Sequence, residues 1–470
     1  MSLNMSADTP QEGQQIQARF VAATTSAMAA AVPLPTIAIP ASLRRYGLSE
    51  ILNHLLANAT PRPYDFIING HFLRTSIAEW IKANDESSEN VITIEYVESL
   101  TPPKTIEQPD DNIHDDWVSS IVATPSLTHA VSGSYDSQLR LWNAQGQVAG
   151  RSSTTSEHLP KRSIKAITAF QLDGLDYVAS ASKDQNAHVW SLPSLTATSK
   201  DVSLSPCVTL VGDGHSVEAI TASPCGQRIA TGYWNGAIRI WDMLAANDLA
   251  QVAPSSKKRK TPATPADRPH VDLPHLIELS GGHSAGPITA LHWTTGSTGV
   301  EDDEQYVAMD MASGSLYSGS WDESLLEWNV AMNAVTHRMH SPYPISTLSH
   351  SPFHNLVATG HADIRSIQLW DPRIKDTNVC QRSLTGHTGT VTSVSWSPEL
   401  AALGPAPLLA SASRDGTIRI WDMRATIPLF TLQAHKGAVG LAVNWLKDTV
   451  VSGGSDGRVK FHTLSPDTSA

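Results

Sequence analysis

The sequence predicts a mainly β chain, a seven-bladed ring of four-stranded sheets preceded by a small α+β module. Three observations predict it. One motif recurs seven times between residues 104 and 464, most copies 40 to 51 residues apart. Six copies end on a tryptophan, in a chain whose 13 Trp outnumber its 9 Tyr and its 7 Phe. The residues before the repeats follow another pattern, in which short β-branched runs alternate with two amphipathic segments.

Residues 1–14 are polar and read as disordered. "IQARFVAA" and "TIAIPA" then read as strands. "SLRRYGLSEILNHLLAN" reads as a helix, with Ser49 as candidate N-cap and Ile51, Leu52, Leu55 and Leu56 on its apolar face. "YDFIINGHFLR" is a hairpin turning at Asn69 and Gly70. A short helix starts near Ser76, and "NVITIEYV" is the last strand. The order ββαββαβ over residues 15–99 predicts a ubiquitin-like β-grasp domain. The acidic stretch "KANDESSEN" before the last strand carries Asp85, Glu86 and Glu89. On the residues alone any of these is a candidate ligand, and a solvated charge run is the simpler alternative.

Residues 100–113 form a Pro-rich linker, and residues 104–108 are expected to supply a closing strand to the last blade. The ring spans 114–464, followed by a tail at 465–470. Its units run from "SGSYDSQLRLW", ending at Trp142, to "SGGSDGRVKFH", where His462 takes the tryptophan position. Upstream halves such as "GHTGTVTSVSWSP" recur as well, with His215, His283, His387 and His435. Turns at Asn235–Gly236, Asp415–Gly416 and Asp456–Gly457 separate β-branched runs. One such sheet has two faces to bury, and ring closure lets neighbours cover both while leaving few exposed edges.

These repeats resemble the WD-repeat family. In its pattern His387, Ser411, Asp415 and Trp421 of the sixth unit form a hydrogen-bonded set. The pairing of His387 with Asp415 reads as structural, not catalytic, because a buried polar network that recurs from blade to blade satisfies itself. The fifth unit lacks the Gly-His dipeptide and the seventh lacks the tryptophan, so other packing is expected at those corners.

The segment 244–275 departs from the repeat, and its Pro, Ser and Thr content predicts a loop. Lys257, Lys258, Arg259 and Lys260 within it read as a nuclear localisation signal, with a nucleic-acid contact or a plain surface charge run as alternatives. A second, acidic insertion, "TTGSTGVEDDEQ", reads as a loop.

Composition excludes several functions. A net charge of −12 argues against broad nucleic-acid binding, which needs basic surface to displace counterions. The three cysteines show no metal spacing, so no zinc site and no disulfide scaffold is expected. No run of 18 apolar residues predicts a membrane span. Nucleophile elbow, P-loop and HExxH motifs are missing, so a non-catalytic role is expected.

"SLRRYGLSEILNHLL", "DFIINGHFLRTSIAEWI", "ITIEYVESLTPP" and "DDWVSSI" together resemble the Ytm-type ribosome-biogenesis proteins. The resemblance implies a nucleolar and nucleoplasmic scaffold for maturation of the large-subunit rRNA and the large (60S) ribosomal subunit. It implies a trimer with Erb/Bop-type and pescadillo-type proteins, in which the propeller binds the Erb/Bop propeller. It also implies that the ubiquitin-like module engages midasin, an AAA ATPase that strips the protein from preribosomes. On this pattern Glu89, after paired serines and before the last strand, donates its carboxylate to a Mg²⁺ held by midasin, a hard cation that prefers oxygen ligands. No cofactor of the chain's own is implied, and direct rRNA contact is left open. Two alternatives are a Notchless-type factor, expected to have eight blades, and a cullin ubiquitin-ligase substrate receptor. The second rests on the Trp-Asp-x-Arg tetrapeptides at Trp370–Arg373 and Trp421–Arg424.

Overall fold

The computed structural model describes residues 15–22, 35–58, 61–84, 90–100, 102–106, 112–152, 160, 162–192, 202–212, 214–246, 270–279, 281–284, 286–294, 314–351, 355–374, 380–398, 408–423 and 427–464. The N-terminal elements are β1 (Gln15–Ala22), β2 (Ile37–Pro40), α1 (Arg45–Leu55), β3 (Tyr64–Ile68), β4 (His71–Phe72), α2 (Ile77–Ala83) and β5 (Ile92–Glu98). Their sheet order is β2-β1-β5-β3-β4, with β1 and β5 parallel and the other neighbours antiparallel. This is the β-grasp arrangement. Every second residue of β1 is buried, which puts Ile16, Ala18 and Phe20 on the core face with Phe66, Ile94, Leu52 and Trp80.

Local chemistry explains the helix ends. Ser76 caps α2, accepting from the Glu79 amide while the Glu79 side chain accepts from the Ser76 amide. Asn69 and Gly70 take positive φ values of 50° and 78°, the geometry a two-residue hairpin needs. Ser49 departs from expectation. Helix α1 already starts at Arg45, so Ser49 is an interior residue rather than an N-cap. It is buried, and its hydroxyl donates to the Tyr64 carbonyl and accepts from the Tyr64 amide, both at 3.2 Å. That exchange ties α1 to β3.

Seven further sheets follow among the described residues. Their inner strands are Val118–Ala123, Ile164–Leu172, Val217–Ala222, Ile288–Trp293, Ile345–Ser351, Val391–Trp396 and Gly440–Leu446. Each inner strand is followed by two or three antiparallel partners in chain order. The outer strand of the seventh blade comes from the other end of the chain. It is β6 (Lys104–Ile106), which pairs antiparallel with Val459–Thr463 in the register Phe461↔Ile106, His462↔Thr105 and Thr463↔Lys104.

Two blades carry a fifth strand in parallel pairing. Val202–Leu204 adds to the first blade, and Val271–Leu273 adds to the second beside Pro206–Leu210. The latter corrects the reading of 244–275 as loop throughout. The alternation of Val271 and Leu273, both buried, gives that end of the segment a face to bury against a sheet edge.

Small residues in the second strands let the blades approach. A Cβ on Gly232 would lie 2.6 Å from Ile288 Cγ2, and one on Gly453 2.5 Å from Val118 Cγ1. Both seams thus admit a β-branched side chain of the next blade against bare backbone. Hydroxyls on the inner strands bind the neighbouring blade around the channel. Ser119 donates to the Ile164 carbonyl at 2.8 Å, Thr289 to Ile345 at 2.6 Å, Ser346 to Val391 at 2.9 Å and Thr392 to Gly440 at 2.6 Å. Lys165 and Glu218 replace this bond between the second and third blades with an ion pair at 3.6 Å. The channel encloses about 740 Å³. No helix among the described residues is long and apolar enough to cross a membrane.

Candidate partner-binding sites

Residues 85–89, where Glu89 is the expected metal donor, fall between two described elements. Helix α2 delivers the chain to them, closing on Asn84, whose backbone N–H and side-chain amide both donate to the Trp80 carbonyl. Strand β5 follows them and lies at the centre of the sheet, hydrogen-bonded on both edges. Val91, the residue before that strand, is half-exposed. Asp85, Glu86 and Glu89 themselves lie outside the described residues, as do Lys257, Lys258, Arg259 and Lys260. Among the described residues no three His, Cys, Asp or Glu side chains come together as a metal site.

Arg44 and Arg45 read as a solvated pair or a partner contact. The structure separates them. Arg44 is the N-cap residue of α1, whereas Arg45 turns inward. Its guanidinium lies 2.9 Å from the Asp65 carboxylate and donates to Ser99 Oγ at 2.6 Å and to the Tyr64 carbonyl at 3.1 Å. Arg45 therefore ties α1 to both β3 and the residue that follows β5.

In the sixth blade His387, Ser411, Asp415 and Trp421 come together. Trp421 Nε1–H donates to Ser411 Oγ at 2.8 Å. A hydroxyl has one proton, so Ser411 must donate onward to His387 Nε2, 2.8 Å away. His387 Nδ1–H then donates to Asp415 at 3.1 Å. Burial pushes the His387 imidazole down to about 4 against the pull of Asp415, so it is neutral and its tautomer is fixed. Burial alone would raise the Asp415 carboxyl. Hydrogen bonds from the Thr417 hydroxyl and from the Thr388 and Thr417 amides carry it well below the usual carboxylate range instead. Each group is satisfied inside one blade, with no open face for a substrate. The same set recurs as His114, Ser132, Asp136 and Trp142 and as His283, Ser318, Asp322 and Trp328.

The irregular blades solve the corner differently. In the fifth, His361 at the end of the second strand lies 3.0 Å from Thr359 Oγ1, which also accepts from Trp370 Nε1. In the third, His215 is exposed, and Trp241 donates to Thr231 alone. The seventh blade builds a longer chain. His435 Nδ1–H donates to Asp456 at 3.0 Å, so its Nε2 accepts from Ser452, 3.2 Å away. Ser452 in turn accepts from His462 Nε2–H at 3.2 Å. The other nitrogen of His462 is then an acceptor, and Thr105 of β6 donates to it at 2.9 Å. Tryptophan has one ring nitrogen and no acceptor, so only a residue like histidine at 462 can hold the closing strand this way.

The tetrapeptide at Trp370–Arg373 offers no unengaged arginine, because Arg373 forms a two-point ion pair with Asp371 at 2.7 and 2.9 Å. The sequence reading missed a set of rim residues. Tyr135, Lys183, Trp234 and Trp321 begin the equivalent turn of four successive blades, and each amide donates to the residue preceding the inner strand: Trp117, Ser163, Ser216 and Pro287. The signal was present as the residue before the turn Asp or Asn in each repeat.

Comparison with known proteins agrees with this architecture. The NLE (NUC135) domain family matches residues 16–81. The "WD domain, G-beta repeat" family matches residues 111–143, 205–242, 378–422 and 426–463. The chain is 32% identical over 454 residues to "Ribosome biogenesis protein WDR12 homolog" of Chlamydomonas reinhardtii, covering 92% of this chain and 94% of that one. It is 32% identical over 417 residues to "Ribosome biogenesis protein ytm1" of Aspergillus niger, covering 83% and 78%. It is 34% identical over 406 residues to the protein of the same name from Emericella nidulans, again covering 83% and 78%. Two-domain order, seven blades among the described residues and full-length identity converge, and the chain belongs to the Ytm1/WDR12 family of ribosome biogenesis proteins.

Proposed function

We propose that this chain is a non-catalytic assembly factor of the large (60S) ribosomal subunit, acting in the nucleolus and nucleoplasm on particles whose large-subunit rRNA is maturing. The propeller docks on the propeller of an Erb/Bop-type scaffold, with a pescadillo-type protein as the third member of the complex. The ubiquitin-like module presents Glu89 to the adhesion site of midasin, and ATP-driven pulling then detaches the chain from the preribosome. The observation that carries this reading is the identity that runs through both domains, covering 92% of the chain. The elements on either side of residues 85–89 support it, a capped helix before them and the central strand of a sheet after them. A Mg²⁺ at that junction would be held by the partner's ligands, with one coordination position filled by the donated carboxylate.

In calorimetric titrations with Mg²⁺ present, Glu89→Ala is expected to abolish binding to the midasin adhesion domain while binding to the Erb/Bop-type propeller is unchanged. Wild-type affinity of that variant for the adhesion domain would remove Glu89 from the role. A Notchless-type reading is disfavoured by seven propeller sheets among the described residues, and a cullin-receptor reading through the first tetrapeptide by the engaged Arg373; Arg424 of the second lies outside the described residues.

A further inference from the structure

The outer edges of the blades are not finished alike. The fourth strand has three residues in the third, fifth, sixth and seventh blades and five in the first and second. In the fourth blade it has seven, Ala334–His340. The three longer strands also share a register shift against the third strand, at Val148/Gly150, Val189/Trp190 and Glu327/Trp328, and the short ones have none. Two of these three bulged edges hold a parallel fifth strand, Val202–Leu204 and Val271–Leu273. Among the described residues the third and longest edge holds nothing. It contains no proline and no lysine, the usual means of blunting an open edge.

We propose that Ala334–His340 is a receptor edge on the outer wall of the ring, to which an extended segment of a partner protein adds as a parallel fifth strand. The filled blades supply the register. Gly150, Val208 and His337 each lie opposite the residue before a blade tryptophan. From that position onward Val202, Ser203 and Leu204 pair with Gly150, Arg151 and Ser152, and Val271, Asp272 and Leu273 pair with Val208, Thr209 and Leu210. The same register sets an occupant on His337, Arg338 and Met339. Both resident strands read apolar–polar–apolar, with the middle residue exposed. Leu204 is buried with Trp190, and Leu273 with Trp241, in the seam to the next blade. The fourth blade offers the same seam, where Met339 packs with Trp370. Gly150 and Val208 are buried under their fifth strands, whereas His337 is only half-buried and its Nδ1 has no hydrogen-bond partner.

Charge selects the middle residue of the occupant. Ala334–His340 carries one arginine, two histidines and no acid. Arg338 is exposed, donates to the Gly282 carbonyl and forms no ion pair among the described residues. Side chains at paired positions of a sheet share a face, so the middle side chain lies beside Arg338, where a carboxylate accepts a charge-assisted hydrogen bond. A second copy of this edge would bring arginine and no acid. The chain's own supply does not fit either. Both resident fifth strands precede the fourth strand of the next blade. The corresponding connection here is 371–381, whose branched aliphatic residues, Ile374 and Val379, stand five apart instead of two.

The test uses the full chain and a fluorescent peptide carrying Val-Asp-Leu between Ser-Gly flanks. Its controls are Val-Lys-Leu and a Val-Asp-Leu peptide N-methylated on all three residues. Binding is followed by anisotropy, and hydrogen exchange is read in Ala334–His340 with peptide in excess. Val-Asp-Leu is expected to slow exchange there and not in Val148–Ser152. Val-Lys-Leu should bind wild type about 10-fold more weakly, Arg338→Glu should reverse that preference, and N-methylation should abolish binding. Unchanged exchange in Ala334–His340, or equal binding of the N-methylated peptide, overturns the proposal. An unaltered preference in Arg338→Glu overturns the acidic occupant. If exchange in the free chain is already as slow as in Val148–Ser152, the chain covers its own edge and the proposal fails. If it slows with chain concentration alone, a second copy is the occupant and the proposal fails.

Discussion

Replacing Thr105 by valine isolates the side-chain contact that fastens the ring. Valine keeps the shape of threonine and removes only the hydroxyl that donates to His462 Nδ1 at 2.9 Å. His462 is fully buried, so that nitrogen is left without a donor inside the blade. Such an orphan costs about 1–3 kcal/mol. The contact joins a three-residue strand to the blade, so the loss falls on opening of β6 before it falls on the rest of the ring. At about 1.4 kcal/mol per tenfold change, hydrogen-exchange protection in Lys104–Ile106 and Val459–Thr463 should drop roughly 5- to 150-fold. Protection in the inner strand Val217–Ala222, across the ring, should not change. Thr105→Ser keeps the donor and should resemble wild type. Unchanged exchange in Thr105→Val would refute the assigned direction of the Thr105–His462–Ser452–His435 chain. A uniform loss across all blades would refute the idea that β6 opens first.

Ser411→Ala removes the shared partner of Trp421 Nε1 and His387 Nε2. Two buried orphans at about 1–3 kcal/mol each predict a loss of several kcal/mol in urea denaturation; a loss below 1 kcal/mol would contradict the network's satisfaction. Stability should also depend on acidity. His361 and His387 are held down to about 4 and His462 to about 3, mainly by burial, against about 6.5 in an unfolded chain. The unfolded chain then binds more protons below pH 6.5, so this contribution is complete above that pH and is lost as pH falls towards 4, by up to about 3 kcal/mol for His387. Urea midpoints at pH 7.5, 5.5 and 4.5 should fall in that order, and a flat series would overturn the neutral assignments. Deleting residues 257–260 should reduce nuclear accumulation of a fluorescent fusion, and unchanged localisation would show that import rides on a partner.

The ring and the β-grasp order were legible because periodicity carries them. Trp142, Trp190, Trp241, Trp328, Trp370 and Trp421 mark six blades, and the two apolar helical faces separate cleanly from the strands. What stayed hidden depends on three-dimensional neighbours. Ser49 has the residue type of an N-cap, but nothing local shows that Tyr64 waits across the core with both backbone groups to satisfy. Arg45 differs from Arg44 only through Asp65 and Ser99, 20 and 54 positions away. His361 and His462 look like defects in the repeat until their partners Thr359 and Thr105 are placed beside them. Val271–Leu273 is too short to register as a strand until an open blade edge presents itself.

The closing strand has a consequence for when and how the ring exists at all. Thr105 and His462 are 357 residues apart, so the seventh blade stays incomplete until all the residues between them have been synthesised. Six blades can assemble in order behind the ribosome, but the clasp waits for the last. The same strand lies a few residues after β5, making it the first propeller strand met by a load applied to the N-terminal module. Three residue pairs hold it, fewer than join the inner two strands of any blade. A pull applied to the module is therefore expected to load the latch of the ring before it loads a whole blade.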